Sequence, residues 1–311
     1  MRRVVPAVFT LTLATSLGAC ASPPAPPRPV DPVVRVEAGR GLVMEGRLDE
    51  GEARYREALA ADPDHFDALL SLGIVLDLKA QYGEARQHLQ RAIDVAPEDR
   101  RRQALVTMAI SYAFERDIDG ALTFYQPVFD AQVAAGDMTG AGASANAIGR
   151  IFLEAGEGRL ARDWYERGFA LSRQQTNQAE ADLLLWDLRW LHAEARIAAR
   201  LGDIDEARRH VAAFETMMRR RGRLDEDLAI YQYLKGYVGL YAGDYAVAIE
   251  ELSKGNLEDP FITDLLGRAY EGAGDLARAR EFYQLTLTRN GHSIQNAFAR
   301  PHAAARLAVL P

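Results

Sequence analysis

Along most of this chain, apolar residues recur three and four positions apart and do not alternate with polar ones over strand-length runs. Residues 66–99 show the arrangement in full. Large side chains stand at Leu69, Leu72, Leu76, Tyr82 and Leu89, small ones at Gly73, Ala85 and Ala92, and Pro97 closes the stretch. This spacing predicts two amphipathic helices joined by a short turn. The small residues let the backbones approach, and the large ones fill the space around them. The same frame fits Gly39, Leu42, Gly46, Leu48, Gly51, Tyr55, Ala58 and Pro63, and Pro63 to Pro97 is one period of 34 residues. It recurs at Leu105, Met108, Ala109, Tyr112, Ile118, Ala121 and Tyr125, then at Ala145, Ile148, Gly149, Phe152, Gly156, Ala161 and Tyr165. A looser copy holds Leu191, Gly202, Ile204 and Ala207. Two more run through Gly236, Gly243, Tyr245, Ala248, Leu252 and Pro260, and through Leu266, Gly267, Tyr270, Gly274, Leu276, Ala279 and Tyr283.

This pattern of bulk and period resembles the tetratricopeptide repeat, although Leu69 stands where that family has tryptophan. The resemblance implies an all-α fold, an α-solenoid or superhelix of about seven helix-turn-helix repeats over residues 33–290, with a C-terminal cap over 291–311. Gly202-Asp203, Gly243-Asp244 and Gly274-Asp275 supply a residue free to take φ > 0 and then a cap former. Ala85, Ala121, Ala161, Ala207, Ala248 and Ala279 share one repeat position but are 36, 40, 46, 41 and 31 residues apart, so the middle repeats carry insertions. Residues 130–142, with three glycines, read as a loop, and residues 178–201 as one long helix carrying Trp186 and Trp190. Pro127 is expected to kink or end its helix near Thr123. In the cap, Ser293 is expected to start one short helix and Pro301 another.

The first residues follow a different rule. Met1-Arg2-Arg3 precedes an apolar run from Val4 to Leu17, the layout of a secretory signal and too short for a comfortable membrane span. Leu17-Gly18-Ala19-Cys20 resembles the lipobox of bacterial lipoproteins, and Cys20 is the one cysteine of the chain. The resemblance implies a signal peptide over 1–19 and lipidation of Cys20, giving a stable membrane anchor because several acyl chains are attached. In enteric bacteria, aspartate after the cysteine retains such a protein at the inner membrane. Ala21 therefore implies an outer-membrane lipoprotein whose body faces the periplasm. Residues 20–32 form a tether: six of the 13 prolines of the chain fall in positions 22–32. As an extended polyproline segment they would span about 34 Å.

Composition narrows the chemistry. The 311 residues are 48% hydrophobic and 26% charged, the balance of a folded protein. The net charge of −7 disfavours nucleic acid held by bulk charge. A single cysteine excludes a disulfide within the chain and any multi-thiolate metal site. The six histidines contain no i, i+4 pair and no HExxH, so no metal is expected. Gly140-Ala141-Gly142-Ala143-Ser144 lacks the last glycine of a nucleophile elbow and the lysine of a P-loop, and reads as a turn into a closely packed helix. Asp49-Glu50 and Asp225-Glu226-Asp227 read as solvated charges at helix starts. The basic run Arg219-Arg220-Arg221-Gly222-Arg223 reads as a helix end.

No catalytic constellation, cofactor or small-molecule substrate is therefore expected. The tetratricopeptide resemblance implies that the first helix of each repeat lines a concave groove. Carried over position by position, it places Leu70, Ile74, Leu78, Ile110 and Phe114 in that groove among others. Asn146, Arg150, Arg189, His192, Arg196, Arg200, Tyr233, Tyr237, Tyr241 and Arg268 follow. The apolar set is open to two readings: cover by another part of this chain, such as the tether or cap, or contact with an apolar segment of a protein partner. The arginines suit carboxylates. The function implied is a non-enzymatic, lipid-anchored scaffold that binds protein partners in a bacterial envelope, as in pilus, secretion or outer-membrane assembly. A cytosolic regulatory module is the alternative if the N-terminus is no address, and an enzyme with an unrecognised site is a third reading.

Overall fold

The structure, a computed structural model, describes residues 31–174 and 178–311. Among the described residues there are fifteen helices and no strand. Fourteen of them pair as hairpins: α1 (Pro32–Met44) with α2 (Leu48–Ala61), α3 (Phe66–Leu78) with α4 (Tyr82–Val95), and α5 (Glu98–Phe114) with α6 (Ile118–Ala134). Then come α7 (Met138–Ala155) with α8 (Gly158–Ser172), and α9 (Glu180–Arg200) with α10 (Ile204–Arg221). The last two are α11 (Leu224–Tyr241) with α12 (Tyr245–Leu252), and α13 (Pro260–Gly272) with α14 (Leu276–Leu287). Each hairpin stacks on the next, which makes the expected seven-repeat α-solenoid. α15 (Ile294–Val309) follows them.

Local chemistry sets the hairpins. Asp203, Asp244 and Asp275 each accept a backbone N–H three residues on, capping α10, α12 and α14. The preceding Gly202, Gly243 and Gly274 have φ of 84°, 75° and 83°. Ala80 and Arg116 hold the same left-handed position, both at φ 59°, in the second and third hairpins. The turn geometry thus recurs even where the sequence lacks glycine. Within each hairpin the small residues mark close approach. A Cβ on Gly73 of α3 would lie 2.5 Å from Leu89 of α4 and 3.2 Å from the Ala85 carbonyl oxygen.

Five expectations are corrected. Residues 130–142 are not a loop: α6 and α7 leave only 135–137 between them. Gly136 makes the turn at φ 72°, while Gly142 lies inside α7, where a Cβ would be 2.9 Å from the Trp186 ring. Pro127 does not end its helix. It and Thr123 are exposed, so water reaches the carbonyl that lost its donor, and α6 runs on to Ala134. Pro301 does not begin a helix either. It sits within α15, which buries Phe298 before it and Ala303 after it, and Ser293 caps the whole. Asp227 is not solvated. It is buried and accepts a 2.6 Å hydrogen bond from Arg221 of the basic run, whose side chain is buried with it. Pro32, grouped with the tether by composition, is the first residue of α1 behind the Asp31 cap.

α15 closes the superhelix. It packs against α13 and α14 and also reaches back to α5 and α7. His292 Nε2 lies 2.9 Å from Asp77 Oδ2, and Ser111 Oγ donates to the other oxygen of that buried carboxylate at 2.8 Å. Arg300 Nε donates to the Leu78 carbonyl at 2.7 Å, and Asn290 Nδ2 to that of Val43 at 3.0 Å. Phe298 joins Leu78, Ile110 and Phe114 in one buried cluster. The cap therefore covers this wall at Leu78 and Phe114, while Ile74 and Val106 stay open to a cavity and Val33 and Met44 to solvent. No helix among the described residues is long and apolar enough to cross a membrane.

Candidate functional site

With α15 across its N-terminal half, the concave side retains two cavities. One, of about 620 Å³, lies between α3, α5, α6 and α7, with Ile74, Val106, Gln132 and Ser144 in its wall and His292 at its edge. The other, of about 450 Å³, lies between α7, α9, α11 and α13, with Gln295 of α15 at its edge.

Behind the second cavity lies a buried cluster of cations and phenols. Glu154 of α7 is buried and holds both arginines of α9: Arg200 through a short hydrogen bond, Arg196 with Nη1 at 3.9 Å. Arg196 Nη2 donates to the Tyr165 hydroxyl at 2.9 Å, and Arg200 Nε to that of Tyr237 at 2.9 Å. On α13, Arg268 Nη2 donates to the Tyr241 hydroxyl at 3.3 Å. The Tyr237 ring lies tilted against those of Tyr241 and Tyr233, with centroids 4.8 Å and 5.8 Å apart. Burial opposes the charge of Arg196, but the phenolic oxygens of Tyr165, Tyr233 and Tyr237 and the Glu154 carboxylate outweigh it and raise its pKa. The same balance, led by Tyr237 and Glu154, raises that of Arg200. Both stay cationic.

The cavity wall itself is less satisfied. Arg150 lies with its guanidinium carbon 4.7 Å from the centre of the Phe261 ring, and its Nε has no partner. His192 Nε2 and the Tyr233 hydroxyl are also buried without a partner. Burial, then the charges of Arg196 and Arg150, drives the His192 pKa well below its ordinary value, so the imidazole is neutral. Burial pushes the Tyr233 phenol up to about 12 against the pull of Arg196 and Arg150, so it stays protonated and can donate.

The residues expected in the groove separate into four groups. Arg150 and Tyr233 come together in one cavity wall, and Tyr233 is 8% exposed. Ile74 lines the other cavity. Leu70, Arg196 and Tyr237 lie beneath the surface, 3%, 3% and 0% exposed, where they support the wall and do not form it. Asn146 packs on Gly168 of α8, and Arg268 is tied to Tyr241. Cys20, with the signal and most of the tether, lies outside the described residues. Glu154 went unnamed although it falls at repeat position 13, one of the concave positions of the frame. Asp227 was set aside as a surface charge. The closing role of α15 has no periodic signal, because it repeats nothing. Among the described residues no group of three or more His, Cys, Asp or Glu is placed to hold a metal ion.

Fold and site together define an all-α repeat solenoid with a charged, aromatic interior on its concave side. The tetratricopeptide repeat model matches residues 42–109, from the end of α1 into α5. A tetratricopeptide repeat protein from Parabacteroides merdae superposes with a TM-score of 0.50 at 13% identity, over 87% of this chain and 98% of that one. Pseudomonas aeruginosa pilF gives 0.43 at 16% identity, over 81% and 96%. The Cut9–Hcn1 hetero-tetramer of the APC/C gives 0.44 at 17% identity, over 91% and 50%. No curated protein matches the chain. The repeat match and the Parabacteroides structure support a tetratricopeptide-repeat protein, and at these identities the structural likeness concerns the fold alone.

Proposed function

We propose that this chain is a non-enzymatic, lipid-anchored scaffold of a bacterial cell envelope, holding a protein partner beside a membrane. The repeat fold supports the interaction role, since tetratricopeptide domains typically bind proteins. The anchor rests on Leu17-Gly18-Ala19-Cys20 with the apolar run and paired arginines before it, and the outer-membrane address on Ala21. The observation that carries the partner surface is the rim of the second cavity. Arg189 is exposed there with its guanidinium carbon 4.6 Å from the centre of the Trp186 ring, and Ile230 of α11 is an exposed apolar side chain of the same lining. An exposed cation beside an exposed apolar residue suits an apolar segment with acidic neighbours. The proposed contact surface thus lies on α9 and α11, away from Leu78 and Phe114, where the cap takes up the early repeats.

A photo-crosslinking residue placed at Ile230 in living cells should give one discrete adduct, lost when Arg189 is replaced by glutamate. The same residue at Val247, exposed on α12, should give none. Equal labelling at both positions would remove this surface from consideration. Labelled palmitate should enter the native protein and not Cys20→Ala, and a variant that remains labelled and membrane-bound contradicts the anchor.

A further inference from the structure

We propose that the cavity between α7, α9, α11 and α13 is a binding site for a small free monocarboxylate carrying a branched or aromatic apolar body. This goes beyond the scaffold reading and does not rest on it.

The cavity, at about 450 Å³, falls within the range of small-molecule sites, and like them it joins an apolar wall to a few converging polar groups. Leu185, Leu188, Phe214, Ile230 and Ile262 supply the apolar part. The polar part is incomplete in a specific way. Arg150, His192 and Tyr233 line the cavity, and their Nε, Nε2 and hydroxyl are buried beneath its surface with nothing bonded to them, so a ligand reaches them only once the side chains shift. Buried polar groups are nearly always paired, because leaving one unpaired forfeits its hydration with nothing in return. Three in one cavity wall point to an absent acceptor. The phenol is a donor, the guanidinium edge is a donor, and a neutral imidazole can present its N–H. Donors with a positive field behind them fit an anion. Arg196 supplies part of that field, since its charge acts on both His192 and Tyr233.

The carboxylates in the wall set the ligand's charge. Asp227 is bonded to Arg221, although its Oδ2 is unpartnered, and Asp259 accepts the Phe261 backbone N–H at 2.8 Å to cap α13. Both lie in the same cavity wall, where they repel a second negative charge. A diacid or a phosphate is thereby disfavoured against a single carboxylate.

The test is calorimetric titration of the purified full chain with N-acetyl-leucine, 4-methylpentanoate and 3-phenylpropanoate. The neutral N-acetyl-leucinamide and a decapeptide ending in a free leucine carboxylate serve as comparisons. At least one small acid should bind one per chain, and the amide should bind more weakly than N-acetyl-leucine. Tyr233→Phe should weaken the acid about tenfold, while the unliganded variant unfolds at the same temperature or higher, because the hydroxyl has no partner to lose. Arg150→Gln should weaken it further. The inference is overturned if none of the three acids binds by millimolar concentration, or if acid and amide bind alike. It is equally overturned if Tyr233→Phe and Arg150→Gln both keep native affinity. Binding of the decapeptide alone overturns the assignment to a small free ligand. None of these results bears on the crosslink at Ile230.

Discussion

At the scale of single residues, the interior is governed by whether each polar group found a partner. Where one did, as in Arg221 with Asp227, the charge survives burial. Where none did, protonation adjusts, and His192 is the clearest case. Its folded pKa lies below its unfolded value near 6.5, mainly through burial, with Arg196 and Arg150 adding to the effect. Stability from this group is therefore complete above pH 6.5. It falls as the pH drops, because the unfolded chain binds the proton first, at up to about 1.4 kcal/mol per pH unit. His88 is lowered too, chiefly by burial, and acts in the same direction. Asp264, raised by burial, acts oppositely, its contribution growing as the pH falls through its folded pKa. Urea unfolding between about pH 7 and 5.5 should show a shallower loss of stability for His192→Gln than for the native chain. Parallel curves would show that His192 does not carry this dependence. Little of this was legible beforehand. Spacing places His192, Arg196 and Tyr233 on groove-facing positions, but pairing in this cluster depends on neighbours 31 to 46 residues away, which periodicity does not register.

At the scale of elements, sequence and structure agree most closely, because helix pairing depends on side-chain size at fixed spacing. Gly39 and Gly41 separate the two uses of a small residue on one helix. A Cβ at Gly39 would lie 2.5 to 3.0 Å from the Tyr55 ring of α2, while at Gly41 it would meet nothing within 4 Å. Gly41→Ala should stabilise by about 0.5–1 kcal/mol through the backbone entropy removed from the unfolded chain. Gly39→Ala should destabilise by about 1–3 kcal/mol through overpacking. Unfolding midpoints check both, and a shift of the same sign for the two would refute the packing role given to Gly39. The misjudged elements have a common cause. Glycines over 130–142 and prolines at 127 and 301 were weighed as breakers, yet their cost depends on exposure and on what packs nearby. Gly142 serves contact with Trp186, and the exposed Pro127 leaves its freed carbonyl to water.

At the scale of the molecule, the repeat frame gave the solenoid but not its closure. A repeat array usually holds only contacts between neighbours. Here His292 meets Asp77 across 215 positions. Closing so long a loop costs only about 1.6 kcal/mol more than closing one repeat of 34 residues, since the entropy grows with the logarithm of length. The burial of Phe298 and the His292 ring 5.5 Å from that of Phe114 can offset that. Truncation after Gly291 should therefore lower the unfolding midpoint and expose a surface that binds anilinonaphthalene sulfonate. A truncated chain with the native midpoint and no dye binding would mean that α15 is an ornament to the fold.

That closure also sets an order of events. Polypeptides are made from the first residue onward, and α15, which packs on α5 and α7, is made after every repeat it touches. Until α15 emerges, the nascent solenoid carries an open, adhesive trough, and any escort that keeps it from sticking must hold on until then.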